Sequence, residues 1–227
     1  MLSDSTAELW EVLRTKGRIL RSEDPDDWSY AHDEGVTEDL RTLAAAQDLI
    51  VVEAEDGLWL TATAGSRYAL RPGDVMRGSP DRETRVLVSH ISLLVLSRLL
   101  DPSRISSSPF VTLEGIVGLM DGWADKLGSS ESVTDESRQA ASIWRGKPLS
   151  DGSDEDAGQR ANATTKRGIA LYAIHFLEAV DLLDRMSDQR WRASMRAVAL
   201  WPRFAEVGEF ASALRDRGME LGVDDYA

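Results

Sequence analysis

The sequence predicts a mainly α-helical protein with small β-hairpins, of the α+β class. Its outline is repeated: helical segments are followed twice by an apolar run, a polar turn and a second strand, over residues 49–63 and 180–196. The other apolar segments follow the 3.6-residue period of amphipathic helices. Because helices followed by a hairpin describe a winged-helix module, we expect two such modules in tandem, joined by a long apolar helix.

The first module is predicted over residues 1–72. Ser5 or Thr6 can cap a first helix with one apolar face, because a side-chain oxygen at that position accepts a free backbone N–H, and Gly17 ends the helix. The following polar stretch is expected to be a loop with one short buried segment. Thr37 then opens a second helix, in the position where winged-helix proteins place their recognition helix.

The first hairpin is predicted at Asp56-Gly57. This pair lies between two apolar runs of period two, and glycine adopts the positive φ of a tight hairpin turn at little cost.

The connection between the modules is predicted over residues 80–102. Apolar side chains surround the helix from Thr84 to Leu100 almost completely, which indicates burial on several sides. Such a helix is either the spine between two modules or part of a subunit interface. Four of its residues are candidates for contact with a partner: Val88, Ile91, Val95 and Leu99.

The second module is predicted over residues 110–217, with a long acidic loop at 146–163. Caps are expected at Thr112, at Thr134 or Asp135, and at Thr164 or Thr165. The helix that begins at Thr164 or Thr165 leads into the second hairpin. Another helix is expected after the hairpin, from about Pro202 to Arg217.

The charge of the chain is unevenly distributed. The net charge of −13 argues against nonspecific coating of DNA, which depends on Lys and Arg neutralising phosphates. Residues 1–70 carry 15 acids and 6 bases, whereas residues 160–217 carry 7 acids and 10 bases. Arg41 is the one base in the second helix of the first module. That module is therefore expected to contact protein, and the second module is the better candidate for DNA.

No pattern in the sequence indicates catalysis, a cofactor or a metal. Cysteine is absent, so disulfides and thiolate ligands are excluded. His32, His90 and His175 are far apart and are interpreted as core or interface histidines, and the glycine-rich phosphate loops are missing. With no membrane-length apolar window and no signal-peptide pattern, a cytoplasmic location is expected.

One basic cluster is a candidate DNA-binding surface. Cations near the start of the last helix before the hairpin, and along the hairpin's second strand, would approach the phosphate backbone together in a winged helix. On that strand Arg190, Arg192 and Arg196 alternate with Trp191 and Met195, so the three arginines are predicted to share one face. The alternative is a solvated strand face whose arginines pair with Asp181, Asp184 and Asp188. The candidate contacts are Arg160, Lys166, Arg167, Arg190, Arg192 and Arg196.

In architecture the chain resembles the kite-type subunits of bacterial SMC complexes. The best matching segments are the helix with Leu9-Trp10, the Asp56-Gly57 hairpin, and residues 168–183 leading into Arg190-Trp191-Arg192. The nearest are the small subunits of the condensin-like MukBEF, MksBEF and Wadjet systems. The resemblance implies a homodimer without catalytic residues that binds a kleisin, beside an SMC-type ATPase, and helps to hold double-stranded DNA.

The main functional hypothesis is thus a noncatalytic accessory subunit of a condensin-like complex, in DNA maintenance or in defence against plasmids and phages. The alternative is a winged-helix transcription regulator that acts alone and binds a specific duplex. The acidic first module argues against this alternative, because a pair of DNA readers would need basic helices in both modules. A third class, a small-molecule or toxin–antitoxin-type binding protein, has no positive sign in the sequence.

Overall fold

The computed structural model describes residues 4–54, 57–62, 81–100, 110–127, 135–149 and 164–206. These residues are mainly helical, with one three-stranded and one two-stranded antiparallel sheet, which confirms the predicted α+β class. The chain divides into two compact units, Met1–Leu70 and Arg71–Ala227. None of the described helices is both long and apolar enough to cross a bilayer.

The described residues of the first unit form three helices and a small sheet in which β1 and β2 both pair with β3. Its elements are α1 (Asp4–Lys16), β1 (Arg18–Leu20), α2 (Pro25–Ala31), α3 (Glu34–Ala45), β2 (Leu49–Ala54) and β3 (Gly57–Ala62).

The start and end signals of these helices are only partly those predicted. Gly17 ends α1 as expected, with φ of +73° and an N–H that donates to the Leu13 carbonyl at 2.8 Å. The prediction that Thr37 opens the next helix is wrong. Asp33 caps α3, accepting from Gly35 N–H at 3.1 Å, while Thr37 is buried in the helix and its Oγ1 donates to the Ala31 carbonyl at 2.6 Å.

The first hairpin forms, but Gly57 has a different role from the one predicted. Ala54 pairs with Gly57, so Gly57 is the first residue of β3, and residues 55–56 lie outside the described residues. A Cβ at Gly57 would lie 2.7 Å from the Ile19 carbonyl oxygen and 2.8 Å from Leu20 Cδ2. Glycine is therefore needed here because β1 approaches closely.

The second unit contains five described helices and the second hairpin. Its elements are α4 (Arg82–Leu100), α5 (Leu113–Leu127), α6 (Asp135–Gly146), α7 (Lys166–Ala179), β4 (Leu183–Ser187), β5 (Arg190–Ala193) and α8 (Met195–Glu206). Val111 adds a bridge to this sheet: its N–H and C=O exchange hydrogen bonds with Trp191 at 2.8 and 3.0 Å. The order bridge–β5–β4 thus repeats the order β1–β3–β2 of the first unit.

The helix expected to connect two modules belongs to the second unit, where α4 packs against α5, α6 and α7. Its four candidate interface residues, Val88, Ile91, Val95 and Leu99, are all buried within the chain. They are core positions, so the prediction that they form an accessible interface is corrected. An apolar helix that is covered on several sides by its own unit produces the same sequence pattern as one covered by a partner.

Two further predictions concern the last helix and the acidic loop of the second unit. The helix expected from about Pro202 begins earlier, at Met195, because Ser194 caps it through a hydrogen bond from Ala197 N–H to Ser194 Oγ at 3.1 Å. Most of the predicted acidic loop, residues 150–163, lies outside the described residues, as do residues 207–227.

Candidate nucleic-acid interface

The six predicted DNA-binding cations do not form one surface. Arg160 lies outside the described residues. The other five fall into two groups: Lys166 and Arg196 are held inward, whereas Arg167, Arg190 and Arg192 reach solvent.

Lys166 is part of a polar cluster that joins three helices of the second unit. Its Nζ lies 2.6 Å from Asp121 Oδ1 on α5, and Trp144 Nε1 on α6 donates to the same oxygen at 2.8 Å. The Lys166 ammonium also lies 5.5 Å from the centre of the Trp144 ring, and its side chain is 17% exposed. Its charge is therefore paired with a carboxylate and directed into the unit, which argues against a position on a DNA-facing surface.

Arg196 was expected on the same strand face as Arg190 and Arg192. Because β5 ends at Ala193, Arg196 instead lies in the first turn of α8, and its Nη1 donates to the Val180 carbonyl at 3.2 Å, just past the end of α7. Burial lowers the pKa of Arg196, although nearby Asp181 opposes this shift. The residue satisfies a carbonyl at a helix C-terminus, which is a structural role.

The alternation of β5 agrees with the predicted strand. Trp191 points inward, is 1% exposed and donates from Nε1 to Glu178 Oε1 on α7 at 3.0 Å. Arg190 and Arg192, on either side of it, are exposed on the outer face of the sheet. Arg192 pairs across the strands with Asp184, at 3.5 Å between Nε and Oδ2, as the alternative interpretation expected.

Phe110 completes this outer face and was not selected from the sequence. It directly precedes the bridging residue Val111, and its side chain is 45% exposed. The Arg190 guanidinium lies 4.7 Å from the centre of the Phe110 ring. The only sequence signal was an aromatic residue at the end of a polar segment, and nothing local relates it to a strand 80 positions downstream. We call Phe110, Arg190 and Arg192 the outer face.

Arg167 lies apart from this face, at the start of α7. Its Nη2 is 2.9 Å from Glu114 Oε1 at the start of α5. Since both side chains are partly exposed, this pair contributes little to stability and leaves the cation screened by a carboxylate.

The helix positions that read a DNA groove in winged-helix proteins are unsuited to that task in both units. In α7, Ala179 alone is largely exposed and the other residues are buried or half-buried, so this helix presents little surface to a groove. The α3 helix is exposed but acidic, and its Arg41 lies 3.1 Å from Glu53 and 3.6 Å from Glu38. Among the described residues, the exposed arginines on the sheet of the second unit are therefore the better candidates for contact with nucleic acid.

The described residues contain no group of three or more His, Asp or Glu side chains that could hold a metal ion. The ring nitrogens of His32 contact the Trp28 carbonyl at 2.9 Å and Glu53 at 3.3 Å. His90 Nδ1 lies 2.9 Å from the Val86 carbonyl, and its ring packs 5.2 Å from that of Trp123. Both histidines thus have structural contacts.

No protein-family model matches the chain, and a search of curated proteins gives no significant match.

Proposed function

We propose that both units are winged-helix modules and that the chain is a noncatalytic accessory subunit of kite type, which holds DNA within a condensin-like complex. The observation that carries this proposal is the exposed pair Arg190 and Arg192 on the outer face of the second unit's sheet. Both guanidinium groups reach solvent at the position where a winged helix places its wing, and the 3.5 Å pair of Arg192 with Asp184 is a weak one.

The different surfaces of the two units support a division of labour. The exposed side of α3 carries Glu34, Glu38 and Asp39, which repel phosphate and suit a partner with basic segments. The second unit offers exposed arginines, but it buries the helix that would read bases. A protein that contacts a partner through one unit and the DNA backbone through the other has the properties of a holding subunit.

The proposed partners are a kleisin and an SMC-type ATPase, with the chain present as a homodimer and double-stranded DNA held in the assembled complex. The role in DNA maintenance or in plasmid and phage defence, and the nucleoid-associated location, are part of the same proposal. They rest on the architectural resemblance together with the repeated strand order of the two units.

A stand-alone, sequence-specific regulator is the weaker alternative. Sequence reading requires side chains that reach base edges, and these usually come from a helix in the major groove. The burial of α7 and the acidity of α3 leave neither helix suited to this.

The test is recovery of a tagged chain from its native host, with the eluate analysed for protein and for DNA protected from nuclease. We expect an SMC-type ATPase and a kleisin to copurify. Glu38→Lys combined with Asp39→Lys should reduce the copurified protein, because these exposed acids would contact the partner. Arg190→Glu combined with Arg192→Glu should retain the partners and lose the DNA.

A matched control for the arginine reversal is Arg14→Glu combined with Arg138→Glu. Both residues are exposed on helices, form salt bridges within their own helix, and give the same change in net charge. An eluate without an SMC-type ATPase, or equal loss of DNA in the control, would contradict the proposal.

A further inference from the structure

The outer face displays an aromatic ring that packing does not explain. Phe110 is 45% exposed, although large aromatic side chains normally bury most of their surface. The neighbouring Val111 fills the inward position and is buried. Nearly half of Phe110 therefore reaches solvent, beside the Arg190 guanidinium, which lies over the ring.

The ring is held on a rigid support. The backbone next to Phe110 is fixed by the two hydrogen bonds between Val111 and Trp191. Trp191 is anchored in turn by its bond to Glu178 on α7. A contact surface carried on anchored strands loses less conformational entropy on binding than one on a free loop.

Cations border the ring. Within the described part of the chain, Arg190 makes no salt bridge, and its guanidinium lies against Phe110. Arg192 is 60% exposed, and its 3.5 Å pair with Asp184 is a weak one in solvent. An accessible aromatic ring beside guanidinium groups suits a ligand that has both a flat π surface and negative charge.

Unpaired nucleotides are such a ligand. Base–aromatic stacking and guanidinium–phosphate contacts are the two interactions by which proteins bind single strands. In a duplex the base faces are covered by their neighbours, so Phe110 could not stack on them. An apolar peptide would use the ring but would gain nothing from the arginines.

We propose that the outer face is a stacking site for an unpaired base of single-stranded nucleic acid, with Phe110 as the platform and Arg190 and Arg192 as phosphate contacts. This inference rests on the proposed function, in which the second unit faces DNA, and adds that the same sheet also binds strands whose bases are unpaired. It predicts a contribution from Phe110 that duplex binding does not share.

The test uses the full chain, with fluorescence anisotropy of a labelled oligothymidine and of a mixed-sequence duplex of the same length. Phe110→Leu should weaken single-strand binding about tenfold, since stacking on one base contributes a factor of this order. Duplex affinity should change less than twofold. Phe110→Tyr, which keeps a ring, should bind the single strand as tightly as the wild type. Arg190→Gln should lower the affinity for both ligands.

The outcomes separate this inference from the proposed function. If the wild type binds duplex and Phe110→Leu binds the single strand as tightly as the wild type, the stacking site is refuted while the holding function stands. Equal losses for both ligands also refute stacking. If the wild type binds neither ligand, alone or in the recovered complex, both proposals are wrong. Melting temperatures of the Leu and Tyr variants that equal the melting temperature of the wild type verify that folding is unchanged.

Discussion

Replacing Asp121 with alanine removes the carboxylate that joins α5, α6 and α7, and the structure allows its cost to be worked out. Trp144 Nε1 loses its acceptor, and leaving this donor unpaired costs about 1–2 kcal/mol. The loss of a fully buried ion-pair partner costs about 3–5 kcal/mol, but Asp121 is 42% exposed, which reduces the Lys166 contribution to about 1–2 kcal/mol. We therefore expect Asp121→Ala to lower the free energy of unfolding by about 2–4 kcal/mol.

The assay is urea unfolding of the full chain followed by tryptophan fluorescence, with Lys166→Met as the partner variant. Methionine keeps an apolar stem against Trp144 and removes the charge that Asp121 neutralises. The double variant should therefore be more stable than the sum of the two single effects predicts, by about 1 kcal/mol. A loss below about 0.5 kcal/mol for Asp121→Ala, or strict additivity in the double variant, would refute the reasoning.

Three other perturbations test separate parts of the structure. Lys166→Met should leave DNA affinity in a filter-binding assay within twofold of the wild type, because the ammonium is bound to Asp121. A large loss of affinity would show that Lys166 does contact DNA. Gly57→Ala should lower the free energy of unfolding in urea by about 2 kcal/mol, because the added Cβ would meet the Ile19 carbonyl. The control Gly118→Ala, which has open space in α5, should raise the free energy of unfolding by about 0.5–1 kcal/mol. Equal effects of the two substitutions would contradict the close approach of β1. Asp81 accepts a hydrogen bond from the Thr84 N–H at 2.7 Å, and this bond holds the pKa of Asp81 below its usual 3.8. The contribution of this carboxylate to the free energy of unfolding should therefore be complete above pH 3.8 and be lost as the pH falls through the lowered pKa. The stability difference between the wild type and Asp81→Asn should therefore shrink between pH 5 and pH 2, and a difference that stays constant would argue against this cap.

The sequence was sufficient for several features that depend on local interactions, although the caps Asp33 and Ser194 were missed. Caps were predicted at Thr112 and at Thr164 or Thr165, and the Oγ1 atoms of Thr112 and Thr165 accept from the N–H groups of Gly115 and Gly168 at 3.1 and 3.0 Å, each three residues on. The two hairpins were found for the same reason, because their strands are separated by only a few residues.

The sequence was insufficient where the partner is distant. The three-residue strand β1 was missed because its hydrogen bonds go to β3, about 40 residues later. Lys166 was assigned to DNA because Asp121, 45 residues earlier, cannot be related to it from spacing. Apolar periodicity likewise could not tell whether α4 is covered by its own unit or by a partner.

The candidate site was predicted in part. The alternation of Arg190, Trp191 and Arg192 follows from the two-residue period of a strand and is present in the structure. Arg196 was misassigned because Ser194 starts a helix two residues before it. Phe110 was overlooked because its position beside β5 depends on a single nonlocal bridge.

The most direct test of the proposed DNA-holding role is the salt dependence of duplex binding by the purified chain, or by the complex recovered with it. Each lost phosphate contact should lower the slope of log affinity against log salt by about one unit. Arg190→Glu combined with Arg192→Glu should therefore reduce the slope by about two units, while Arg14→Glu combined with Arg138→Glu should leave it unchanged. A slope that is the same in the wild type and in the Arg190/Arg192 variant would contradict the assignment of this sheet to DNA.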